Sequence, residues 1–226
     1  MAKGTGHAAQ TDLEAERPPV RGAGGRKETV RDTQEHMDAR AVDADLLARY
    51  AAGDAAAARM LSARLSPRVY AHAVRVLGDR AEAEDVTQEA MLRLWKQAGT
   101  WDGARAQAST WLYRVVANLC TDRLRRRPTD TLDDVETPAD PAPGMETRLQ
   151  DGARHDALQA ALLRLPERQR QAVILRHIEG LANPEIAEIL DVGVEAVESL
   201  TARGKRALAA DLAARRDALG YDDDTT

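Results

Sequence analysis

Residues 183–202 read NPEIAEILDVGVEAVESLTA, and two short apolar rows within them decide the fold. Ile186, Ala187 and Leu190 share one side of a first helix, Val192 fills a turn, and Val197 and Leu200 hold a second helix beneath it. The small Ala187 side chain lets the two helices cross closely, which is the arrangement of a helix-turn-helix. The turn position that usually carries glycine holds Asp191, with Gly193 two residues on. Aspartate visits left-handed backbone more readily than most residues, so the motif is expected to survive. The same pattern also fits an αα-hairpin that only packs. Neighbouring cations favour nucleic acid, because phosphate contacts need them: Arg203, Lys205 and Arg206 follow at the exposed end of the second helix, and Arg164, Arg168, Arg170 and Arg176 decorate the helices before it.

Working outward, the segment around this motif resolves into helices broken at Leu165–Pro166, at Gly180 to Asn183 and at Asp191 to Gly193, a domain over residues 154–216. A short acidic tail, 217–226, follows it. Upstream, residues 128–153 carry Asp130, Asp133, Asp134, Glu136, Asp140, Glu146 and Asp151 against Arg148 alone, with Pro138, Pro141 and Pro143. That composition predicts a flexible acidic linker.

Before the linker the charge reverses. WLYRVVANLCTDRLRRR, ending at Arg127, holds Arg114, Arg123, Arg125, Arg126 and Arg127 against Asp122, although the whole chain has a formal net charge of −5. Trp111, Leu112, Val115, Val116, Leu119 and Cys120 form the buried stripe of this helix. Arg114, Asn118, Asp122 and Arg125 step along another face at spacings of four, four and three. Ser109 is the expected N-cap. The loop before it contains Trp101. Further upstream, Val86, Ala90, Met91, Leu94 and Trp95 make one helical stripe, with Asp85, Glu89, Arg93 and Lys96 off it. Two more helices precede these, one predicted to start at Pro67 after Ser66. Together they define a first domain over residues 43–127. Residues 1–42 mix Gly, Pro and both charge signs without periodicity, the composition of a disordered arm.

Composition bounds the rest. Ala, Leu, Arg, Glu and Gln are strong helix formers and the 226-residue chain has no Phe, so the fold class is all-α: two small helical domains on a flexible acidic linker. Cys120 is the single cysteine, which excludes an internal disulfide and a CxxC metal site; its place on the apolar stripe predicts a buried, inert thiol. No leader and no stretch of about 18 apolar residues is visible, so a cytoplasmic protein is expected. The histidines are scattered and the carboxylates lie in linkers or on helix faces, a pattern without a catalytic constellation, metal site or cofactor motif.

DRAEAEDVTQEAMLRLWK, TWLYRVVANLCTDRLRRR, LRLPERQRQAVILRHIEGL and PEIAEILDVGVEAVES, in that order, resemble a bacterial RNA polymerase sigma factor of the small two-domain, extracytoplasmic-function (ECF) kind of the sigma-70 family. The resemblance covers roughly residues 43–214. It implies that the first domain docks on core RNA polymerase, at its β′ and β subunits, through Asp85, Glu89, Arg93 and Lys96. It implies that Asn118, with Trp101 and the cations Arg114, Arg125, Arg126 and Arg127, captures the minus-ten promoter strand. The second domain would read minus-thirty-five DNA through Glu198, Ser199, Ala202, Arg203, Lys205 and Arg206. Members often carry a basic residue at the positions of Glu198 and Leu200, and this chain departs from that habit. An anti-sigma factor, which in some systems is membrane-anchored, is the further partner implied; no enzymatic activity and no cofactor are. A competing reading is a stand-alone helix-turn-helix regulator that binds its operator without polymerase.

Overall fold

The computed structural model describes residues 39–102, 107–127 and 145–213, and every regular element among them is helical. The expected arm up to residue 38, the linker from Pro128 to residue 144 and the tail from residue 214 lie outside the described residues.

Helix α1 (39–51) ends at Gly53, whose φ of 99° turns the chain. Asp54 then caps α2 (Ala55–Leu77), accepting from the backbone N–H groups of Ala56 and Ala57, while Arg49 donates to the same carboxylate at 2.7 Å. The cap sets the start of α2 at residue 55, not at Pro67 as the sequence suggested. Pro67 lies inside the helix and is exposed. Its missing N–H leaves the Ala63 carbonyl unbonded within the helix, and because Ala63 is also exposed, water can serve that oxygen. Asp79 caps α3 (Arg80–Gln97) through the Glu82 N–H. Helix α4 (Ala108–Arg126) begins two residues earlier than a cap at Ser109 would start it; Gln107 holds the cap position without a side-chain bond.

Helices α2, α3 and α4 bury Leu61, Leu65, Val69, Val76, Val86, Ala90, Leu94, Leu112 and Val116 against one another. Each fully buried Leu or Val contributes about 1.5–3 kcal/mol. The apolar stripes read from the sequence are therefore the core of the first domain, and Cys120 lies in it.

The second domain starts with α5 (Met145–Arg164), which begins inside the stretch whose composition reads as linker. Helix α6 (Glu167–Val173) follows the break at Pro166 and runs into a π-turn over Ile174–Ile178, in which the Glu179 N–H reaches the Ile174 carbonyl. Gly180 at φ 72° breaks the chain before α7 (Asn183–Leu190), and Asp191 at φ 53° turns it into α8 (Val194–Ala213). Asp191 is the single non-glycine residue with positive φ among those described, in the turn where the sequence placed it. Ile186, Ile189 and Val197 are the fully buried residues of the motif.

The two domains pack together. Gly78, left-handed at φ 72°, closes α2 and leaves so little room that a β-carbon there would sit 2.7 Å from Leu163 Cδ1 of α5. Gln159 donates to the Val74 carbonyl at 3.2 Å. The Arg170 guanidinium, 8 % exposed, donates to the carbonyls of Val76, Leu163 and Leu165, joining the carbonyl ends of α2 and α5. Arg170 was expected to meet phosphate; the structure instead spends it inside the protein.

Candidate nucleic-acid interface

Helix α4 presents the face that its spacing predicts: Arg114, Asn118, Asp122, Arg125 and Arg126 are exposed. Arg127 is not free on that face. It donates to Glu82 at 2.7 Å and to the Leu77 carbonyl at 3.1 Å, tying the end of α4 to the end of α2. Arg123 is drawn to Asp85 at 3.5 Å. Among the described residues, Arg125 and Arg126 are thus the cations at the end of this helix without an ion-pair partner.

Trp101 is half-buried and meets Trp111 edge to face, with ring centroids 5.6 Å apart. Its indole nitrogen is buried without a hydrogen-bond partner among the described residues. The aromatic pair packs Trp101 against the first turn of α4, so Trp101 stands beside the basic helix rather than on its open face. Tyr113, on the opposite side of α4, is 2 % exposed. Its hydroxyl donates to Glu179 at 2.5 Å and its ring stands against the buried His72. Burial, and the Glu179 carboxylate after it, push the Tyr113 pKa upward. Burial likewise pushes the Cys120 thiol up to about 12, which leaves no thiolate at neutral pH, as its place on the apolar stripe suggested.

On α3, Asp85, Glu89, Arg93 and Lys96 are all exposed, and Arg93 pairs with Glu89 at 2.8 Å. Beside them runs a feature that charge reading missed. A groove of 550 Å³ between α2 and α3 is lined by Ser66, Pro67, Tyr70, Thr87, Met91 and Trp95, with Leu92, 47 % exposed, on its rim. The signal for it was present: Leu92 interrupts the charged face, and Pro67 lies one helix away.

In the second domain, Glu198, Ser199, Ala202, Arg203, Lys205 and Arg206 are exposed along α8, with Arg203 and Arg206 folded back onto the carbonyls of Ser199 and Ala202. Burial and the nearby cations Lys205 and Arg176 lower the His177 pKa, so the π-turn and α8 share a positive corner. Arg164 is held by Asp211 and Arg176 by the Leu181 carbonyl, while Arg168 lies exposed near the motif. An exposed helix preceded by a buttressing helix and followed by cations is the form that enters a major groove.

Residues 61–128 match the family described as Sigma-70 region 2, and residues 155–208 match Sigma-70, region 4. The chain is 37 % identical over 170 residues to the Mycobacterium tuberculosis protein named ECF RNA polymerase sigma factor SigM, across 74 % of this chain and 83 % of that one. It belongs to the ECF sigma factors. The Bacillus subtilis ECF RNA polymerase sigma factor SigW is 33 % identical over 152 residues, covering 62 % of this chain and 81 % of its own. A solved structure described as CnrH in complex with the cytosolic domain of CnrY superposes with a TM-score of 0.58 at 27 % identity, over 76 % of this chain and 98 % of that one. The region 2 match runs from within α2 through α4 and the region 4 match from within α5 into α8, so in this sigma factor the basic α4 face lies in region 2 and the helix-turn-helix in region 4. No helix among the described residues is long and apolar enough to cross a membrane, and no group of His, Cys, Asp and Glu among them is placed to hold a metal ion.

Proposed function

We propose that this sigma factor is a promoter-specificity subunit without chemistry of its own. Region 2 docks on core RNA polymerase through the exposed face of α3 and the apolar groove beside it. The observation that carries the reading is the pairing of two exposed, cation-bearing helix faces, α4 and α8, in the two matched regions of one chain. Arg114, Arg125 and Arg126 give phosphates a track, and Asn118 offers both a donor and an acceptor to an unstacked minus-ten base. Glu198, Ser199, Ala202 and Arg203 face the bases of the minus-thirty-five element, with Lys205 and Arg206 on its phosphates. Arg127 and Trp101 act one step back, by fixing the two ends of the region around α4.

A cytoplasmic protein that answers a stress signal, restrained by an anti-sigma factor until the signal arrives, completes the reading. It is supported by a similar solved protein, CnrH, which is held in a complex with the cytosolic domain of a second protein, CnrY. The test is reconstitution: the full chain with core polymerase should start run-off transcription at a defined site on genomic fragments. DNA binding that is strong and specific without polymerase, with no transcript in its presence, would favour the stand-alone regulator.

A further inference from the structure

Helix α8 and the π-turn meet at one corner of region 4. Gly204 of α8 packs on Val173, the last residue of α6. His177 follows Val173 by four residues, about one turn further along the same side, and Lys205 follows Gly204. His177, Arg176 and Lys205 are all exposed. Arg176 gives one guanidinium N–H to the Leu181 carbonyl at 2.9 Å, which steadies it beside the imidazole.

This corner borders the side of α8 assigned to DNA. Glu198, Ala202 and Lys205 recur at i, i+4 and i+7, so Lys205 stands in one row with two of the residues that face the bases. A duplex with α8 in its major groove therefore brings one phosphate backbone to Lys205 and to the π-turn behind it. Partial burial, and then the charges of Lys205 from α8 and Arg176 from the same turn, hold the His177 pKa below the ordinary imidazole value. The carboxylates of the packed elements are engaged elsewhere. Glu179, at the end of the turn, is taken by the Tyr113 hydroxyl and by Arg75 at 3.4 Å. On α7, which packs on the turn, Glu185 is taken by Arg40 and by the Ala182 N–H. An anion entering the corner meets two fixed cations and a ring able to become the third.

We infer that His177, with Arg176 and Lys205, is a proton-linked phosphate clamp through which region 4 holds the backbone of duplex DNA. The inference rests on the reading that α8 lies in the major groove, and it adds a contact and a pH dependence that the reading does not contain. A phosphate among the three groups offsets the repulsion between them and accepts a hydrogen bond from the protonated ring. The complex therefore carries a proton at a pH where the free protein does not. A group whose pKa rises on binding strengthens that binding as pH falls, so duplex affinity rises from neutral toward mildly acidic pH and levels off once free His177 is protonated as well.

The experiment uses the full chain and a short dye-labelled DNA duplex of mixed sequence, with anisotropy read at several salt concentrations. Between about pH 8 and about pH 6 the wild type is expected to gain about threefold more affinity than His177→Gln gains. Its logarithmic salt slope should steepen over the same interval by up to about 0.9, the weight of one further phosphate contact, while that of His177→Gln stays constant. His177→Lys, a permanent cation, should bind at pH 8 as tightly as the wild type does at pH 6. Equal pH dependence in wild type and His177→Gln would overturn the clamp, as would a His177→Lys protein no tighter than wild type at pH 8. Joint alanine replacement of Lys205 and Arg206 tests the reading beneath it. If that variant loses duplex affinity while wild type and His177→Gln share one pH dependence, α8 binds DNA and only the clamp is wrong. If it keeps full duplex affinity, the duplex does not lie on α8 and both fall.

Discussion

Gly204 of α8 presses on Val173 of α6: a β-carbon at position 204 would lie 2.6 Å from Val173 Cγ2 and 3.2 Å from the Gln169 carbonyl oxygen. Alanine is about 1 kcal/mol better than glycine in a helix interior, while forcing a methyl group into a packed contact costs about 1–3 kcal/mol. The carbonyl cannot swing away as a side chain can, so the clash wins. Gly204→Ala is expected to lower the thermal midpoint, corresponding to about 1 kcal/mol. Gly152→Ala, at a helical position with nothing within 4 Å, should raise it. A midpoint that rises in Gly204→Ala would show that α8 is not pinned to α6 this closely.

His72 is fully buried with neither ring nitrogen hydrogen-bonded among the described residues. Burial, with Arg75 nearby, lowers its pKa from 6.5 to about 3. The unfolded chain therefore takes up a proton near pH 6.5 that the folded protein refuses until about pH 3. The stability this neutral ring contributes is complete above pH 6.5 and is lost as pH falls toward 3. At pH 5 the loss is about 2 kcal/mol. Urea unfolding of the wild type between pH 5 and 7.5 should show that slope, and His72→Leu should flatten it. An equal slope in both proteins would assign the pH dependence to other groups.

Asn118 and the free cations of α4 should separate by salt. Asn118→Ala is expected to lower open-complex formation about tenfold, the weight of one good base contact, while leaving affinity for core polymerase intact. Permanganate reactivity of promoter thymines reads the first quantity. Replacement of Arg125 and Arg126 by alanine should weaken single-strand binding for every sequence and reduce its dependence on salt by about 1.4 logarithmic units per decade, because each lost phosphate contact releases fewer counterions. Unchanged thymine reactivity in Asn118→Ala would remove that residue from the strand site.

Glu198 lies exposed on α8 among residues facing outward. A carboxylate there repels phosphates yet accepts well from a cytosine amino group. As a reader, its replacement in Glu198→Gln should cost about 1–3 kcal/mol at one base position and relax preference there. Glu198→Lys that tightens binding to all minus-thirty-five variants equally, with base preference untouched, would make the carboxylate a mere penalty.

Much of this molecule was readable where structure is local. The breaks at Pro166, Gly180 and Asp191, and the face shared by Arg114, Asn118 and Arg125, follow from single residues or from the helical period. The docking of one domain on the other follows from neither. Tyr113 and Arg170 look like surface chemistry because their partners, Glu179 and the Val76 carbonyl, lie 66 and 94 residues away in sequence. Arg127 was lost to Glu82 for the same reason. Pro67 misled in the opposite direction: a local rule gave way to a cap at Asp54 and to solvent on that side of α2.

The π-turn at Ile174–Ile178 carries one more consequence. Such a turn is what an α-helix becomes when it accommodates a single inserted residue, and the insertion rotates everything after it by about 100°. Deleting one residue within 174–178 should restore an ordinary helix and swing Glu179 away from Tyr113. Among kindred sequences, then, the length of this one helix is a ruler for ancestry: lineages that share the extra residue should share the clasp, and lineages without it must keep their domains together by other means or leave them apart.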